Sequence, residues 1–393
     1  MSSKTYKLPD HALIGRAKHI PQLPTTPTIS FSPLILTTPN RPPNYPIHIR
    51  ITAPVITNTI TKTSSETSTS TSLPIILLSH GQGSSNHLSS LNGYGPLVEY
   101  YASHGFVVIQ PTHLSSKTLS LGMKLASASP SPTTNAKEDP NLALNLDFET
   151  LGPAPLFWKS RIHDFTDILD AHSFIDASFP ALSQAGISLD WERVGIVGHS
   201  MGAHTASMLL GASYILNPES PSPSPSSNAT SASISFYDAR IKAGILIGAP
   251  GCDAPDGSTQ TPMARSVAPF FAHTDFSSMI TPALIVYGDA DLPDYLTTRG
   301  MEWHKDPYTM APEGTGKEML TVRGAGHCFG GVSGWDARET GEEGESVEMV
   351  GIVQRMTGAW MRERLRFNCG GREWEEACGA LEGLDGVGMV ERK

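Results

Sequence analysis

The sequence predicts an α/β fold in which a mostly parallel central sheet carries helices on both faces. Six short apolar runs of strand length are distributed along the chain, and segments with helical amphipathic periodicity lie between them. The runs are nearly continuous in apolar residues, which is typical of strands buried on both faces. Strands that alternate with helices favour a parallel sheet.

The elements follow one another in a regular order. The strand candidates are residues 73–79, 105–110, 192–198, 241–248, 282–288 and 319–324, of which the last is the weakest. The helix candidates are residues 93–104, 160–178, 200–212 and 346–365. A polar, low-complexity tract at residues 58–72 predicts a mobile loop between two early strands.

The chain has 393 residues, of which 39% are hydrophobic, enough for a sizeable core. We expect one domain over residues 46–365. Residues 1–45 read as an extended, Pro/Thr-rich N-terminal segment, and residues 366–393 as a peripheral C-terminal tail. A lid-like insert at 114–157 and a low-complexity insert at 217–235 interrupt the alternation.

Composition narrows the classes of partner and location. The net charge is −10 and no basic run occurs, which argues against nucleic-acid binding. No apolar stretch reaches the length of a membrane span, and no secretory signal is evident, so we expect a cytoplasmic protein without stable membrane insertion. The cysteines lack zinc-site spacing and are expected to be reduced, with a Cys369–Cys378 disulfide as the alternative. The sequence does not indicate the oligomeric state.

The strongest motif is Gly198-His199-Ser200-Met201-Gly202, a G-x-S-x-G pattern. It directly follows a strand candidate and directly precedes a helix of small residues, which is the context that a nucleophile requires. The sharp turn strains the serine and lifts its hydroxyl above the sheet, and flanking glycines avoid backbone collisions. We therefore expect Ser200 to be a nucleophile. The alternative is a tight turn with a structural serine.

A serine hydroxyl needs a base to accept its proton, and histidine is the usual one. Of the 14 histidines, His327 is the best candidate, because it lies among glycines directly after the last strand candidate. His304 and His273 are weaker, since neither follows a strand so closely. The alternative for His327 is an ordinary loop histidine.

The base needs a carboxylate that orients it and stabilises its cationic form. Asp289, Asp291 and Asp294 follow the strand candidate at 282–288. We choose Asp291, three positions past the glycine that ends the strand, with Asp289 as the alternative. The aspartates without this role would cap the loop.

Acyl transfer also requires two donors for the developing oxyanion. The backbone N–H of Met201, next to the nucleophile, is one candidate. The other is the backbone N–H of Gln82, in the glycine-containing loop His80-Gly81-Gln82-Gly83 after the first buried strand.

Three further residues are candidates for a substrate pocket: Tyr94, His113 and Trp158. The alternative for each is a structural role. For the segment at residues 157–164, we favour a helix start packed on the core with an ordinary ion pair between Arg161 and Asp164 over a pocket wall.

The strings HGQG (80–83), GHSMG (198–202) and GAGH (324–327), with the Asp291 loop between the last two, resemble the α/β-hydrolase superfamily. The similarity is closest to the platelet-activating-factor acetylhydrolase, chlorophyllase-like and predicted dienelactone-hydrolase-like esterases, and residues 238–243 share it. The order Ser, Asp, His is that of the superfamily. Dienelactone hydrolases proper use a cysteine nucleophile, whereas this chain has Ser200.

The resemblance and the motifs together predict a serine esterase, lipase-like in broad class, that forms an acyl-enzyme on Ser200. We expect a small-molecule or lipid-like ester as substrate, and no metal or organic cofactor. The same site would also suit an acyltransferase, or a lactone hydrolase or cyclase. A ligand-binding protein on the same fold is the non-enzymatic alternative.

Overall fold

The computed structural model describes residues 14–55, 71–83, 89–119, 148–184, 186–216, 232–335, 344–365 and 372–393. Within these ranges twelve strands form two sheets. The strands are β1 (Thr28–Leu36), β2 (Ile47–Pro54), β3 (Thr71–Ser79), β4 (Val107–Thr112), β5 (Ile187–His199), β6 (Ser213–Ile215), β7 (Ser233–Ser235), β8 (Ile241–Ile247), β9 (Thr274–Asp275), β10 (Ala283–Gly288), β11 (Lys317–Val322) and β12 (Gly388–Arg392).

The described helices lie mostly between the strands of the larger sheet. They are α1 (Gly95–Ser103), α2 (Phe148–Leu151), α3 (Trp158–Asp170), α4 (His172–Ser178), α5 (Pro180–Gln184), α6 (Met201–Leu209), α7 (Pro262–Val267), α8 (Asp306–Thr309), α9 (Val347–Arg364) and α10 (Glu373–Glu382). Three 3-10 turns occupy Gly15–His19, Pro269–His273 and Gly300–Lys305.

The central sheet has nine strands in the order β1-β2-β4-β3-β5-β8-β10-β11-β12. The six strands from β4 to β11 in this order are parallel, and the outer pairs β1/β2, β2/β4 and β11/β12 are antiparallel. The second sheet, β7-β6-β9, is small and antiparallel. All carboxyl ends of the parallel strands therefore meet at one edge of the sheet, where loops can bring distant residues together.

Strand β3 shows how the sheet builds a core on both faces. Ile75 and Leu77 belong to the buried cluster that contains helices α3 and α6, whereas Ile76 and Leu78 belong to the cluster that contains α1 and α9. Successive strand side chains point to opposite faces, so a continuous apolar run buries both. Each such fully buried side chain contributes about 1.5–3 kcal/mol.

This architecture confirms the predicted fold class. Each of the six strand candidates coincides with a strand, and three of the four helix candidates coincide with single helices. The candidate at residues 160–178 is two helices, α3 and α4, separated at Ala171. The early strands β2 and β3 flank the 58–72 tract but do not pair with each other. Residues 58–70 of that tract lie outside the described residues, and residues 71–72 begin strand β3.

The two ends of the chain differ from expectation. Within the N-terminal segment, β1 pairs with β2 and forms one edge of the sheet, with a register shift beside Pro33, which lacks an N–H. Within the expected peripheral tail, β12 hydrogen-bonds along β11 and forms the other edge. Trp374 and Leu381 of α10 are buried in the core, so this tail is part of the packed structure.

The remaining expectations concern the inserts, the cysteines and membrane spans. Residues 120–147 of the lid-like insert and 217–231 of the low-complexity insert lie outside the described residues. Ser233–Ser235 of the latter insert forms β7. Cys378, one half of the alternative Cys369–Cys378 disulfide, is a free thiol, and Cys369 lies outside the described residues. Among the helices that the structure describes, none combines the length and the hydropathy needed to cross a bilayer.

Candidate active site

Ser200 lies in a strained turn between strand β5 and helix α6. Its φ of 55° and ψ of −124° are unfavourable for a residue with a side chain. The turn is held by backbone bonds: the Ser200 N–H donates to the Ile247 carbonyl (2.9 Å), and the Ser200 carbonyl accepts from the Ala203 N–H (2.8 Å). The motif predicts this strained serine conformation, which the surrounding backbone bonds hold in place.

The two glycines of the motif are required by close packing. A methyl group added at Gly198 would lie 2.1 Å from the Gly202 carbonyl oxygen. One added at Gly202 would lie 2.0 Å from the Ser79 carbonyl oxygen. Helix α6 therefore begins in contact with the end of strand β3, and this contact fixes where Ser200 projects.

Asp291 and His327 form a hydrogen-bonded pair. Asp291 follows strand β10 and His327 follows β11, and their Oδ2 and Nδ1 atoms lie 2.8 Å apart. The Asp291 side chain is 4% exposed and the His327 side chain 21% exposed. Gly248, at the end of β8, lies against the pair, since a methyl group there would be 3.3 Å from His327 Nδ1.

His199, the residue before Ser200, contacts the backbone of His327. His199 Nε2 lies 2.8 Å from the carbonyl oxygen of His327. Strands β5, β8, β10 and β11 are consecutive neighbours in the sheet, so the loops that carry these residues share one edge. Ser200, Asp291 and His327 therefore occupy one region of the molecule.

The alternative acid and base candidates are placed differently. Asp289 accepts a hydrogen bond from the Gly324 N–H and lies 3.5 Å from Arg323, so it holds the turn after β11. Asp294 is exposed. His273 bonds to the Ile215 carbonyl in the small sheet.

His304 also lies close to Asp291. Its Nε2 is 3.3 Å from Asp291 Oδ2, an electrostatic contact outside hydrogen-bond geometry, and its Nδ1 is 2.7 Å from the Ala249 carbonyl oxygen. Burial alone would raise the pKa of Asp291, but His327 and His304 outweigh burial and lower this pKa below the usual range of a carboxyl. Asp291 is therefore a buried carboxylate at neutral pH.

These three side chains also have the spacing of a possible metal site. One ligand atom each from Asp291, His304 and His327 lies within 4.8 Å of the others. Two of those residues already form a 2.8 Å hydrogen bond with each other. The same arrangement therefore also fits a carboxylate that orients an imidazole.

The loop at residues 80–83 lies beside Ser200. A methyl group added at Gly81 would be 3.2 Å from Ser200 Cβ. The Gly81 N–H donates to Tyr94 Oη (2.8 Å) and the Gly83 N–H donates to Ser89 Oγ (3.0 Å), so both already have acceptors within the protein. The Gln82 side chain is anchored separately, because its Nε2 donates to the Ser115 carbonyl (2.7 Å).

Met201 is the first residue of helix α6. The first N–H groups of a helix have no carbonyl acceptor within the helix. The Met201 N–H is therefore suited to bind an external oxyanion next to Ser200, and the positive end of the helix dipole favours negative charge there.

Arg161 does not form the expected ion pair with Asp164. Asp164 instead binds Arg41 with both carboxylate oxygens (2.7 and 2.8 Å) and also His113 Nδ1 (2.6 Å). The fully buried Arg161 guanidinium donates to the His80 carbonyl, Ser115 Oγ and Thr205 Oγ1. The helical spacing placed Arg161 and Asp164 on adjacent positions of one face but could not reveal these long-range partners.

The three pocket candidates are interior residues. Tyr94 is buried, with its hydroxyl bonded to the Gly81 N–H and to His199. His113 is buried between Asp164 and Ser79. Trp158 packs against the Phe270 ring at 5.4 Å between centroids. Tyr94 and His113 are fully buried and Trp158 is 2% exposed, so their contacts in this structure are with other protein groups.

His199 is a site residue that sequence reasoning missed. It occupies the variable second position of the G-x-S-x-G pattern, which carries no signal of its own. Burial lowers the pKa of His199 to about 3, with a further lowering from the nearby His327. The ring is therefore neutral across the ordinary pH range.

Comparison with known proteins gave likenesses of fold. No family model and no curated protein matches the chain. A solved arylesterase is similar at 13% identity and a TM-score of 0.43, with 89% of this chain and 88% of that chain covered. An esterase from Rhizomucor miehei is similar at 14% identity and 0.44, covering 89% and 88%.

A ferulic acid esterase from Streptomyces cinnamoneus is similar at 15% identity and a TM-score of 0.47, with 95% of this chain and 97% of that chain covered. One fold supports many unrelated activities, so any functional conclusion depends on the site residues. The sheet order, the parallel centre and the strained serine between β5 and α6 are the evidence for the fold. This chain has the α/β-hydrolase fold.

Proposed function

We propose that the protein is a serine hydrolase that cleaves carboxylic esters through an acyl-enzyme on Ser200. The observation that carries the proposal is the hydrogen-bonded Asp291–His327 pair at the sheet edge that also holds the strained Ser200 turn. A nucleophile, a base and an acid that orients the base are the minimum set for this chemistry.

In the proposed acylation step, each of these groups has one role. His327 Nδ1 faces Asp291, which leaves Nε2 to accept the Ser200 proton as Oγ attacks the ester carbonyl carbon. The carbonyl π electrons move to oxygen, and the Gln82 and Met201 N–H groups bind that oxyanion. Collapse of the tetrahedral intermediate expels the alcohol, which takes the proton from His327.

Deacylation repeats these steps with water as the nucleophile. His327 accepts a water proton, the hydroxide adds to the acyl carbon, and the acid leaves as Ser200 Oγ regains a proton. The buried Asp291 carboxylate stabilises the imidazolium that forms in each half of the reaction. Because the pKa of Asp291 is held low, the carboxylate is ionised wherever the enzyme would work.

The substrate class is inferred from the resemblance to small-ester and lipid-ester hydrolases. We take the substrate to be a small-molecule or lipid-like ester. Turnover of p-nitrophenyl esters from acetyl to palmitoyl tests this choice. A maximum at acetyl or butyryl supports an acetylhydrolase-like enzyme, whereas rates that rise with chain length support a lipase-like one.

The decisive variant is Ser200→Ala. We expect it to remove nearly all ester turnover, and labelling by a fluorophosphonate probe, while leaving the circular dichroism spectrum unchanged. Ser207→Ala is the matched control, because Ser207 is a buried serine of helix α6 whose hydroxyl donates to the His204 carbonyl (2.8 Å). Ser207→Ala should keep turnover and labelling.

Two other results would point to the alternatives. If the wild type is labelled at Ser200 but transfers its acyl group to an added alcohol or amine faster than to water, the protein is an acyltransferase with the same site. If the folded wild type is neither labelled nor active, the proposed hydrolase is wrong and a binding role on this fold takes its place.

A further inference from the structure

Tyr94 and His199 form a hydrogen-bonded chain that crosses the candidate site. The Gly81 N–H donates to Tyr94 Oη at 2.8 Å, and Tyr94 Oη lies 2.7 Å from His199 Nδ1. His199 Nε2 in turn lies 2.8 Å from the His327 carbonyl oxygen. This series of hydrogen bonds begins at Gly81, one residue before Gln82, and ends on the backbone of His327.

The donor and acceptor of each hydrogen bond in this series follow from the groups at its two ends. A carbonyl oxygen only accepts, so His199 Nε2 carries a proton and donates to His327. A neutral imidazole has one N–H, so His199 Nδ1 accepts, and the Tyr94 hydroxyl donates to it. The Tyr94 oxygen then accepts from the Gly81 N–H, and every member is satisfied in a single arrangement.

Independent features show that the surroundings impose this arrangement. Tyr94 has a φ of 64°, which is costly for an aromatic residue, and its N–H donates to the Ser333 carbonyl at 2.6 Å. Burial lowers the pKa of His199 to about 3, which keeps the ring neutral and the bond directions unchanged. Backbone strain of this kind persists only where neighbouring contacts hold it, and it is often found at functional sites.

We propose that Tyr94 and His199 are positioning residues that fix the oxyanion loop relative to the loop of the catalytic base. This inference rests on the proposed function. The oxyanion donor Gln82 and the base His327 are carried by separate loops, after β3 and β11. Small displacements of such groups have large effects on the rate, so a rigid connection between the two loops would matter for turnover.

The first test is Tyr94→Phe, which removes one oxygen and keeps the ring. We expect kcat to fall about 10- to 100-fold with little change in KM, because the loss concerns the placement of donors toward the transition state. Labelling of Ser200 by the fluorophosphonate should still go to completion, but more slowly, since that reaction uses the same base and oxyanion site.

Tyr101→Phe is the matched control. Tyr101 is a buried tyrosine of helix α1 in the same core cluster, and its hydroxyl donates to Thr357 Oγ1 at 2.8 Å, away from the site. Both variants should lose similar free energy of unfolding in urea, but Tyr101→Phe should keep the wild-type kcat. Equal losses of kcat in both variants would assign Tyr94 a merely structural role and overturn the proposal.

A second variant, His199→Leu, removes the ring at the other end of the connection. If Tyr94 and His199 act as one unit, Tyr94→Phe should add little further loss of kcat in the His199→Leu background. Fully multiplicative losses would show that the residues act separately and would overturn the proposal.

The two proposals fail in distinguishable ways. Turnover that is unaffected by Ser200→Ala refutes the proposed function. Turnover that requires Ser200 but is unchanged in Tyr94→Phe refutes only the positioning role.

Discussion

Oδ2 of Asp291 is hydrogen-bonded to Nδ1 of His327 at 2.8 Å and lies 3.3 Å from Nε2 of His304. Asp289, two residues earlier, binds the backbone N–H of Gly324 instead. The two aspartates share a loop, but only one of them contacts a candidate base. This contrast gives a direct test of the acid.

We expect Asp291→Asn to lower kcat by about 10³- to 10⁴-fold, because an amide cannot stabilise the imidazolium or select its productive tautomer. Asp289→Asn keeps an oxygen acceptor for the Gly324 N–H and loses only the contact with the half-exposed Arg323, so kcat should stay within a few-fold. Steady-state kinetics on one short-chain ester checks both variants. A larger loss in Asp289→Asn would move the role of the acid to Asp289.

Gly202→Ala should destabilise the protein by about 1–3 kcal/mol or more. Its methyl group would lie 2.0 Å from the Ser79 carbonyl oxygen, which forces helix α6 away from strand β3. Urea unfolding measures the change. Gly379→Ala is the control. Gly379 is an exposed position of helix α10, a methyl group added there would have no neighbour within 4 Å, and the variant should gain up to about 1 kcal/mol. Equal stability of the two variants would contradict the packing argument.

Arg161→Lys should lower both stability and kcat, although it keeps the charge. Lysine cannot reproduce the guanidinium fork that binds the His80 carbonyl, Ser115 and Thr205, and each buried acceptor left without a partner costs about 1–3 kcal/mol. His80 begins the loop that carries Gln82, so the loss should extend to kcat.

Lys159→Ala, on the same helix but with its amine in an exposed contact, is the control for Arg161. Urea unfolding and kcat should both stay close to the wild type in this variant. A wild-type kcat in Arg161→Lys would show that the guanidinium stabilises the fold without affecting the site.

The free energy of unfolding should fall as the pH drops below about 6.5. Burial, above all, lowers the pKa of His199 and His204 to about 3 in the folded protein, against about 6.5 in an unfolded chain. The unfolded chain therefore takes up protons between these values that the folded protein does not. The stability is complete above pH 6.5 and is lost progressively toward pH 3.

Each of these two histidines should lower the free energy of unfolding by about 1 kcal/mol between pH 6 and pH 5. Burial holds the pKa of His80 and His113 well below the usual value as well, so they add to the loss. Urea unfolding at pH 7, 6 and 5 measures the total. An unchanged free energy of unfolding across this range would contradict the neutral, buried state of these rings.

Sequence patterns accounted for the central part of the fold because its signals are local. A run such as residues 73–79 has apolar side chains on both faces of the strand, so its composition alone indicates a strand buried on both faces. The turn at Ser200 could likewise be predicted, since Gly198 and Gly202 are required by contacts within a few residues and with the adjacent strand. The edge strand β12 could not, because Gly388–Arg392 has no apolar run and is a strand only through pairing with β11.

By itself, the sequence determined the candidates for the proposed chemistry: a serine in a strand–turn–helix motif, and aspartates and a histidine after later strands. Only the tertiary structure shows that Asp291 contacts His327 whereas Asp289 contacts the Gly324 N–H, because residues two positions apart on a loop meet different partners. It also placed Tyr94 and His113 in the interior and joined Tyr94 to His199 across 105 positions. Hydrogen bonds between segments far apart in the sequence depend on how the sheet brings those segments together. Local sequence patterns do not indicate which distant segments will meet.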